Sequence, residues 1–283
     1  MQAAEQCLSA GGRLGNEGCF QQREIARFNR QGATASSVIR VLDEEPLSIR
    51  IQGKPYAVVM RTPGDEIANA IGFCLGEGII DDYDDIRQIA FCGDESNVVS
   101  VMLSPARLLK IGSILDRRGF ISQTSCGICG KEVVADLLQV LHPLQDNILV
   151  KPEQLLDCMA GFFSFQTLYV TTRTSHAAAA FSASFRVQAV GEDVGRHNAL
   201  DKAVGKLVAH GDLSDTRFIV MSSRISYELI QKVARARVPI VLAMSRPTVL
   251  AVELAERLGI TLACAPDEGT LLVYSGAHRI QTE

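Results

Sequence analysis

Three features are missing from this sequence of 283 residues: a long hydrophobic run, a large excess of one charge, and a set of regularly paired cysteines. The longest uninterrupted apolar stretches are short, as in Ala177–Phe181 and Pro239–Met244, whereas a bilayer-spanning helix needs roughly 20 residues. The first residues do not combine a basic start with an apolar core, so we expect no secretory signal. We therefore expect neither a helical membrane protein nor a membrane partner.

The charge balance is close to neutral, with 28 Lys and Arg against 32 Asp and Glu and a formal net charge of −4. This balance argues against a general nucleic-acid binder that is held by bulk positive charge. Apolar residues make up 47% and charged residues 21%, which is ordinary for a folded soluble chain. The length favours about two domains.

The eight cysteines are scattered, and only Cys126 and Cys129 lie close together in the sequence. Such a distribution is typical of a reducing compartment rather than of a disulfide framework, so we expect a cytoplasmic protein.

The chain divides into three regions by pattern. Residues 1–33 are rich in Gly, Gln, Asn, Ala and Ser, and are predicted to be a flexible tail with one helical turn near 22–28. Residues 34–120 read as a small α+β domain that contains a hairpin, a helix over 67–75 and two more strands. Residues 121–283 alternate strands and helices, which predicts an α/β sheet covered on both faces. The first strand of this third region is expected over 168–172, and a later pair over 178–182 and 184–190.

The sharpest chemical signal is the CxxC pair in SCGICGK, on a glycine-rich loop before an expected helix over 132–141. The positive end of that helix, with Lys131 nearby, would favour thiolate over thiol at Cys126 and Cys129. Four interpretations remain open from the residues alone: half of a zinc site, a thiol–disulfide oxidoreductase, a sulfur-carrying thiol, or two incidental loop cysteines.

Polar side chains follow three successive strands. The segment GEDVGRHNALDK places Arg196 and His197 beside a helix start, with Asn198 as the expected cap. The next junction has two serines and Arg224 in SSRIS, and the third has SRPT with Thr248 as cap. Because ligands of open α/β sheets bind at the carboxyl ends of strands, we expect these junctions to share an anionic ligand.

His176, in TTRTSHAAAA, resembles the first histidine of a zinc deaminase site. The acid–base glutamate of that site is missing, because Ala178 stands at its position, and the CxxC precedes His176 in the chain. The sequence therefore excludes deaminase chemistry but leaves a related fold open.

The segments SCGICGK, EDVGRHNALDK, SSRISYELIQK and SRPTVLAVELA, in this order and spacing, resemble the FdhD/NarQ family over about residues 34–283. The resemblance implies a sulfur carrier required for formate dehydrogenase activity. It implies that Cys126 takes sulfur from a cysteine desulfurase as a persulfide, with Cys129 as the second cysteine of the motif. The sulfur would pass to the molybdenum or tungsten bis(molybdopterin guanine dinucleotide) cofactor before that cofactor is inserted into formate dehydrogenase.

The resemblance also implies a cytidine deaminase-like three-layer domain beside the smaller domain, a cytoplasmic homodimer, and no permanently bound metal. The family's cofactor-binding segment matches the six residues Ala265, Pro266, Asp267, Glu268, Gly269 and Thr270. Two of these are acidic and would repel a diphosphate. Three alternatives stay open: backbone N–H groups there make the contact, Arg173, Arg196 and Arg224 make it instead, or the chain is a divergent paralogue of the family. We count His176, Arg196, His197 and Arg224 as candidate cofactor contacts.

Two rival functions stay open. One is a chaperone that binds the cofactor without carrying sulfur, and the other is a zinc-bound structural domain.

Overall fold

The computed structural model describes residues 18–30, 32–93, 95–118 and 141–281. Within these ranges the chain forms a two-stranded ribbon, a four-stranded sheet, a six-stranded sheet and seven α-helices. No helix in these ranges combines the length and the apolar character needed to cross a membrane.

The ribbon contains β1 (Phe20–Asn29) and β2 (Gly32–Leu42), which pair antiparallel. The expectation of a tail with a helical turn is therefore wrong for the residues of β1. Cross-strand pairing with β2, interrupted by one register shift between Arg27 and Phe28, overrides the polar composition. The base of the ribbon is anchored by burial of Cys19 and Leu42 against Leu168. The Cys19 thiol also donates a hydrogen bond to the carbonyl oxygen of Pro63 at 3.1 Å.

The four-stranded sheet has the order β4-β3-β6-β5, and β3 and β6 run parallel while the two outer pairs are antiparallel. Its strands are β3 (Glu45–Ile51), β4 (Lys54–Arg61), β5 (Ile86–Cys92) and β6 (Glu95–Leu103). Helix α1 (Glu66–Gly76) is buried throughout, and α2 (Pro105–Arg118) follows β6. This arrangement agrees with the α+β content expected for the first half of the chain.

The six-stranded sheet has the order β12-β11-β10-β9-β7-β8, in which β9, β10 and β11 are parallel and the remaining neighbours are antiparallel. Its strands are β7 (His176–Ser182), β8 (Val187–Asp193), β9 (Thr216–Met221), β10 (Ile240–Ala243), β11 (Thr261–Asp267) and β12 (Thr270–Ser275). The helices of this half are α3 (Pro152–Phe162), α4 (Thr167–Thr172), α5 (Arg196–His210), α6 (Tyr227–Arg235) and α7 (Val249–Leu258).

Both faces of this sheet are covered, as the alternating pattern predicted. Ala178 and Ala180 face one core with residues of α5, α6 and α7, whereas Ala177 and Ala179 face a second core that contains Leu155 of α3. Because adjacent side chains of a strand point to opposite faces, the continuous apolar runs of the sequence serve both cores.

The strand expected over 168–172 is wrong, because these residues form α4. The reason is tertiary: the Glu192 carboxylate accepts hydrogen bonds from the backbone N–H groups of Leu168, at 2.9 Å, and Tyr169, at 3.1 Å. Capping of the first helical turn by a carboxylate outweighs the strand preference of the sequence Leu-Tyr-Val-Thr-Thr.

Helix α1 crosses α5 at very short distance. A Cβ atom at Gly72 would overlap the carbonyl oxygen of Asp201, and one at Gly205 would overlap that of Ala68. One continuous core joins the two larger sheets through this crossing. The boundaries of the three regions, at residues 33 and 120, stay predictions.

Candidate functional site at one edge of the large sheet

The strand directions bring the predicted polar junctions to one edge of the six-stranded sheet. Strands β9, β10 and β11 are parallel and end there, while β8 ends and β7 begins there because both neighbouring pairs of β7 are antiparallel. The β11–β12 hairpin turns at the same edge. The candidate residues 176, 196–197, 224 and 265–270 therefore share this edge, in the strand order β8, β7, β9, β10, β11. At about 4.8 Å per strand, the distance from β8 to β11 is roughly 19 Å.

Asp193 organises the end of this edge at β8. Its carboxylate is fully buried and lies 2.7 Å from Nζ of Lys202. It also accepts hydrogen bonds from the backbone N–H groups of Thr62, at 3.0 Å, and Gly195, at 2.8 Å, and from the Asn198 side chain at 3.1 Å. One carboxylate thus fixes the turn into α5 and ties it to the loop after β4.

The predicted cap Asn198 has a different role. Helix α5 begins at Arg196 with Gly195 as its N-cap residue, so Asn198 lies inside the first turn. Its side-chain amide donates to the carbonyl oxygen of Met60 at 2.6 Å as well as to Asp193. The prediction of an Asn198 cap is wrong because the buried Asp193 carboxylate organises this turn instead.

The two candidate histidines lie close to Arg196. His176 begins β7 and is paired in register with Asp193. Burial and the positive charge of Arg196 lower the pKa of His176, which therefore favours the neutral imidazole. His197 is the second residue of α5, and its Nε2 lies 3.0 Å from Oε2 of Glu228 in α6. The contact with His197 and the positive charge of Arg196 lower the pKa of Glu228 and keep that carboxylate ionised, although the geometry at His197 Nε2 does not satisfy a hydrogen bond.

At the junction after β9, the serine hydroxyls are used within the protein. Ser222 Oγ accepts from the backbone N–H of Ala177 at 2.9 Å, and Ser223 Oγ donates to the carbonyl oxygen of Arg224 at 3.1 Å. Both serine hydroxyls therefore have internal partners, and Arg224 is the side chain of this junction that is available to the expected anionic ligand. The Arg224 side chain is exposed, and the Ser226 hydroxyl is buried without a hydrogen-bond partner in the described part of the chain.

At the next junction, Thr248 caps α7 as predicted, because its hydroxyl accepts from the backbone N–H of Ala251 at 3.3 Å. Arg246, two residues before this cap, is exposed.

The segment over 265–270 forms the β11–β12 hairpin. Ala265 is buried and the following residues to Thr270 are exposed. The Asp267 carboxylate accepts from the backbone N–H of Gly269 at 3.1 Å, and hydrogen bonds from Thr270 and Gly269 lower its pKa. Asp267 is thus a stable negative charge, and the backbone N–H of Gly269 is already used by this acid.

Cys126 and Cys129 lie outside the described residues. Within the described ranges, Cys74 and Cys264 are buried, and so is Cys19. Burial, aided by Asp157, raises the pKa of Cys158 to about 11, and burial also raises that of Cys74. These two thiols are protonated near neutral pH and are poor nucleophiles. The same ranges contain no group of three or more acidic, histidine or cysteine side chains arranged to hold a metal.

The sequence patterns did not reveal how the charged side chains behind the edge are paired. Asp193 and Lys202 form a buried ion pair, Glu192 accepts from the start of α4, and Glu228 contacts His197. The i, i+4 spacing of Asn198 and Lys202 does place both on one helix face, which was the available signal.

The fold and this edge define a mixed α/β protein in which cationic side chains collect at the strand ends of a covered sheet. The FdhD/NarQ family model matches residues 42–281, and the chain belongs to this family.

Similar proteins agree with this assignment. The sulfur carrier protein FdhD of Streptomyces coelicolor is 36% identical over 271 residues, which covers 92% of this chain and 95% of that protein. The protein of the same name from Xanthomonas euvesicatoria pv. vesicatoria is 36% identical over 255 residues, or 90% of each chain. A crystal structure from Desulfotalea psychrophila, assigned as a formate dehydrogenase accessory protein, superposes with a TM-score of 0.74 at 22% identity, covering 93% of this chain and 100% of that chain. This last likeness confirms the mixed α/β fold.

Proposed function

We propose that this protein is a sulfur carrier for formate dehydrogenase. It accepts sulfur from a cysteine desulfurase as a persulfide on Cys126 and passes it to the molybdenum or tungsten bis(molybdopterin guanine dinucleotide) cofactor, which is its substrate. The observation that carries the proposal is membership of a family whose named relatives are sulfur carriers, in a chain that has the Cys126 and Cys129 pair.

Sulfur uptake is a thiol exchange. The Cys126 thiolate attacks the outer sulfur of the donor persulfide, a new S–S bond forms on Cys126, and the donor cysteine leaves as thiolate. The step needs no external oxidant or reductant, because one persulfide is consumed and one is formed. The raised pKa values of Cys74 and Cys158 support the selection of a different cysteine for this reaction.

Delivery of the carried sulfur as sulfide consumes two electrons. If the Cys129 thiolate attacks Sγ of Cys126, a disulfide forms between the two cysteines and sulfide leaves, so that the cysteine pair supplies both electrons. If Cys129 only shields the persulfide, an external thiolate attacks Sγ of Cys126 instead, sulfide leaves, and a mixed disulfide between that thiol and Cys126 forms in place of the Cys126–Cys129 disulfide. Non-reducing mass analysis after transfer separates the two routes.

The nucleotide parts of the substrate are anionic, and the described edge offers matching charges. Arg196 and His197 lie at the N-terminus of α5, where the helix dipole adds partial positive charge. Arg224 is exposed at the neighbouring junction. We place the diphosphate at this end, and assign the hairpin over 265–270 at most a contact through exposed backbone, because Asp267 and Glu268 are negative. Neutral His176 lies beside Arg196 and is a hydrogen-bonding group for the same ligand.

The proposal includes a cytoplasmic homodimer and a deaminase-like arrangement of the six-stranded sheet with its two helical layers. The partners are the desulfurase as donor and formate dehydrogenase as client.

The decisive experiment is intact mass spectrometry of the full chain after incubation with a cysteine desulfurase and cysteine. We expect a gain of about 32 Da, one sulfur atom, that is lost on reduction. Cys126→Ala should abolish the gain, whereas the matched control Cys158→Ala should keep it. An adduct that survives Cys126→Ala and disappears in another cysteine variant contradicts the assignment of Cys126.

A complementation experiment distinguishes the sulfur carrier from a chaperone that binds the cofactor without sulfur chemistry. In a strain that lacks its own carrier, Cys126→Ser should fail to restore formate dehydrogenase activity although the wild-type chain restores it. Full activity with Cys126→Ser would instead establish the chaperone.

A further inference from the structure

We propose that Glu228 is a positioning residue that holds the His197 imidazole in place for the diphosphate of the nucleotide substrate. The inference rests on the proposed function, since it concerns the same strand edge, and it assigns a role to a carboxylate that the sequence patterns did not single out.

The contact joins two helices at the edge. Nε2 of His197, in the first turn of α5, lies 3.0 Å from Oε2 of Glu228, in the first turn of α6. The side chains are 26% and 39% exposed, whereas Nε2 of His197 is buried against Glu228, so a ligand can reach the ring only at its exposed part. A ring that is fixed from a second helix loses less rotamer freedom when an anion binds.

A second pair one helical turn deeper fixes the register of the two helices. Asp201 follows His197 by four residues, Lys232 follows Glu228 by four residues, and Nζ of Lys232 lies 2.9 Å from both carboxylate oxygens of Asp201. Both side chains of this pair are buried. Because side chains at i and i+4 lie on one helix face, the buried pair aligns His197 with Glu228.

The sign of the charge makes the role testable. Glu228 lies close enough to Arg196 and His197 that both lower its pKa, so it is ionised beside a proposed anion site. An ionised carboxylate repels a diphosphate directly. If Glu228 does not orient His197, its only effect is repulsion, and it weakens nucleotide binding. If Glu228 orients His197, the gain outweighs the repulsion, and it strengthens nucleotide binding.

The test is calorimetric titration of the full chain with guanosine diphosphate, the nucleotide portion of the proposed substrate. Glu228→Gln should raise Kd about fivefold to tenfold, as expected when a close charged contact that orients a ligand group is lost. Glu256→Gln, which removes one exposed negative charge on α7, is the matched control and should leave Kd unchanged.

The same substitution in a His197→Ala background separates positioning from general structural damage. Without the imidazole, Glu228→Gln removes only repulsion, so it should leave Kd equal or lower it about twofold. Equal losses in both backgrounds, or unchanged or tighter binding by Glu228→Gln alone, overturn the inference while the sulfur-carrier proposal stands. Wild-type protein that binds no guanosine diphosphate overturns it together with the placement of the nucleotide, whereas failure of Cys126 to take up sulfur contradicts the carrier function separately.

Discussion

The candidate edge runs from β8 to the β11–β12 hairpin, and its two ends differ in the burial and hydrogen bonding of their carboxylates. At the β8 end, Asp193 is buried and bonded to Lys202 and to three N–H donors. At the β11–β12 end, Asp267 is exposed and accepts from its own turn. Strand topology places both ends at the same edge, but only the β8 end combines cationic side chains with a rigid support. Shared position therefore does not imply a shared role.

The largest contrast is expected in stability. Asp193→Asn leaves Lys202 as a buried charge without its carboxylate and should lower the free energy of unfolding by about 3 kcal/mol. Asp267→Asn should have no measurable effect. Urea unfolding of both variants measures the difference, and adding Lys202→Met to Asp193→Asn should recover part of the loss. A negligible loss in Asp193→Asn would remove the distinction between the ends.

A smaller loss of stability is expected for a substitution of Glu192, the residue before Asp193. Its carboxylate caps α4, so Glu192→Gln should cost about 1–2 kcal/mol and accelerate amide exchange at Leu168 and Tyr169. Hydrogen-exchange mass spectrometry measures the change, with Glu268→Gln in the exposed hairpin as control. Unchanged protection over 167–172 would show that α4 does not depend on this cap.

Substitutions at the two ends should change the affinity for guanosine diphosphate in opposite directions. Arg196→Ala should raise Kd for guanosine diphosphate about tenfold, since it removes a charge-assisted contact. The double variant Asp267→Asn and Glu268→Gln removes negative charge and should lower Kd about twofold to threefold. The reverse pattern in a binding titration would move the diphosphate to the hairpin.

The smallest effect is expected in the pH dependence of stability. The pKa of His176 is lowered from its usual 6.5, so below about pH 6.5 the unfolded chain binds this proton more readily and the folded state loses stability. His176→Gln should remove that dependence and leave stability above about pH 7.5 unaltered. At the other end, the pKa of Asp267 is lowered from 3.8, so Asp267 keeps its charge throughout the range of pH 5 to 8 and adds no pH dependence there. Chemical unfolding between pH 5 and 8 tests this, and identical pH profiles of wild type and His176→Gln would contradict it.

Much of the second half of the fold follows from local sequence patterns. Helix α7 has the predicted Thr248 cap, and α5 ends where the sequence places Gly211, which takes up the left-handed conformation that favours glycine. The apolar strands β9 and β10 have no strong competing preference. In these segments the local secondary-structure propensity and the tertiary contacts favour the same structure, so the segments could be predicted from sequence.

Other features depend on partners distant in sequence. Residues 168–172 have strand-forming composition and form a helix because Glu192 lies at its start. The residues of β1 look like a tail and form a strand because β2 pairs with them. The Glu228 contact of His197 depends on how α6 packs against α5.

By itself, the sequence determined the family motifs, the CxxC pair and the order of strands and helices after residue 176, because these depend on residue identity and short-range periodicity. Only the tertiary structure decided which polar side chains face a ligand and which support the fold, as Ser222 and Asn198 show by bonding internally. A hydrogen-bonding group can serve either purpose, and the choice is made by whichever partner the folded chain brings within about 3 Å.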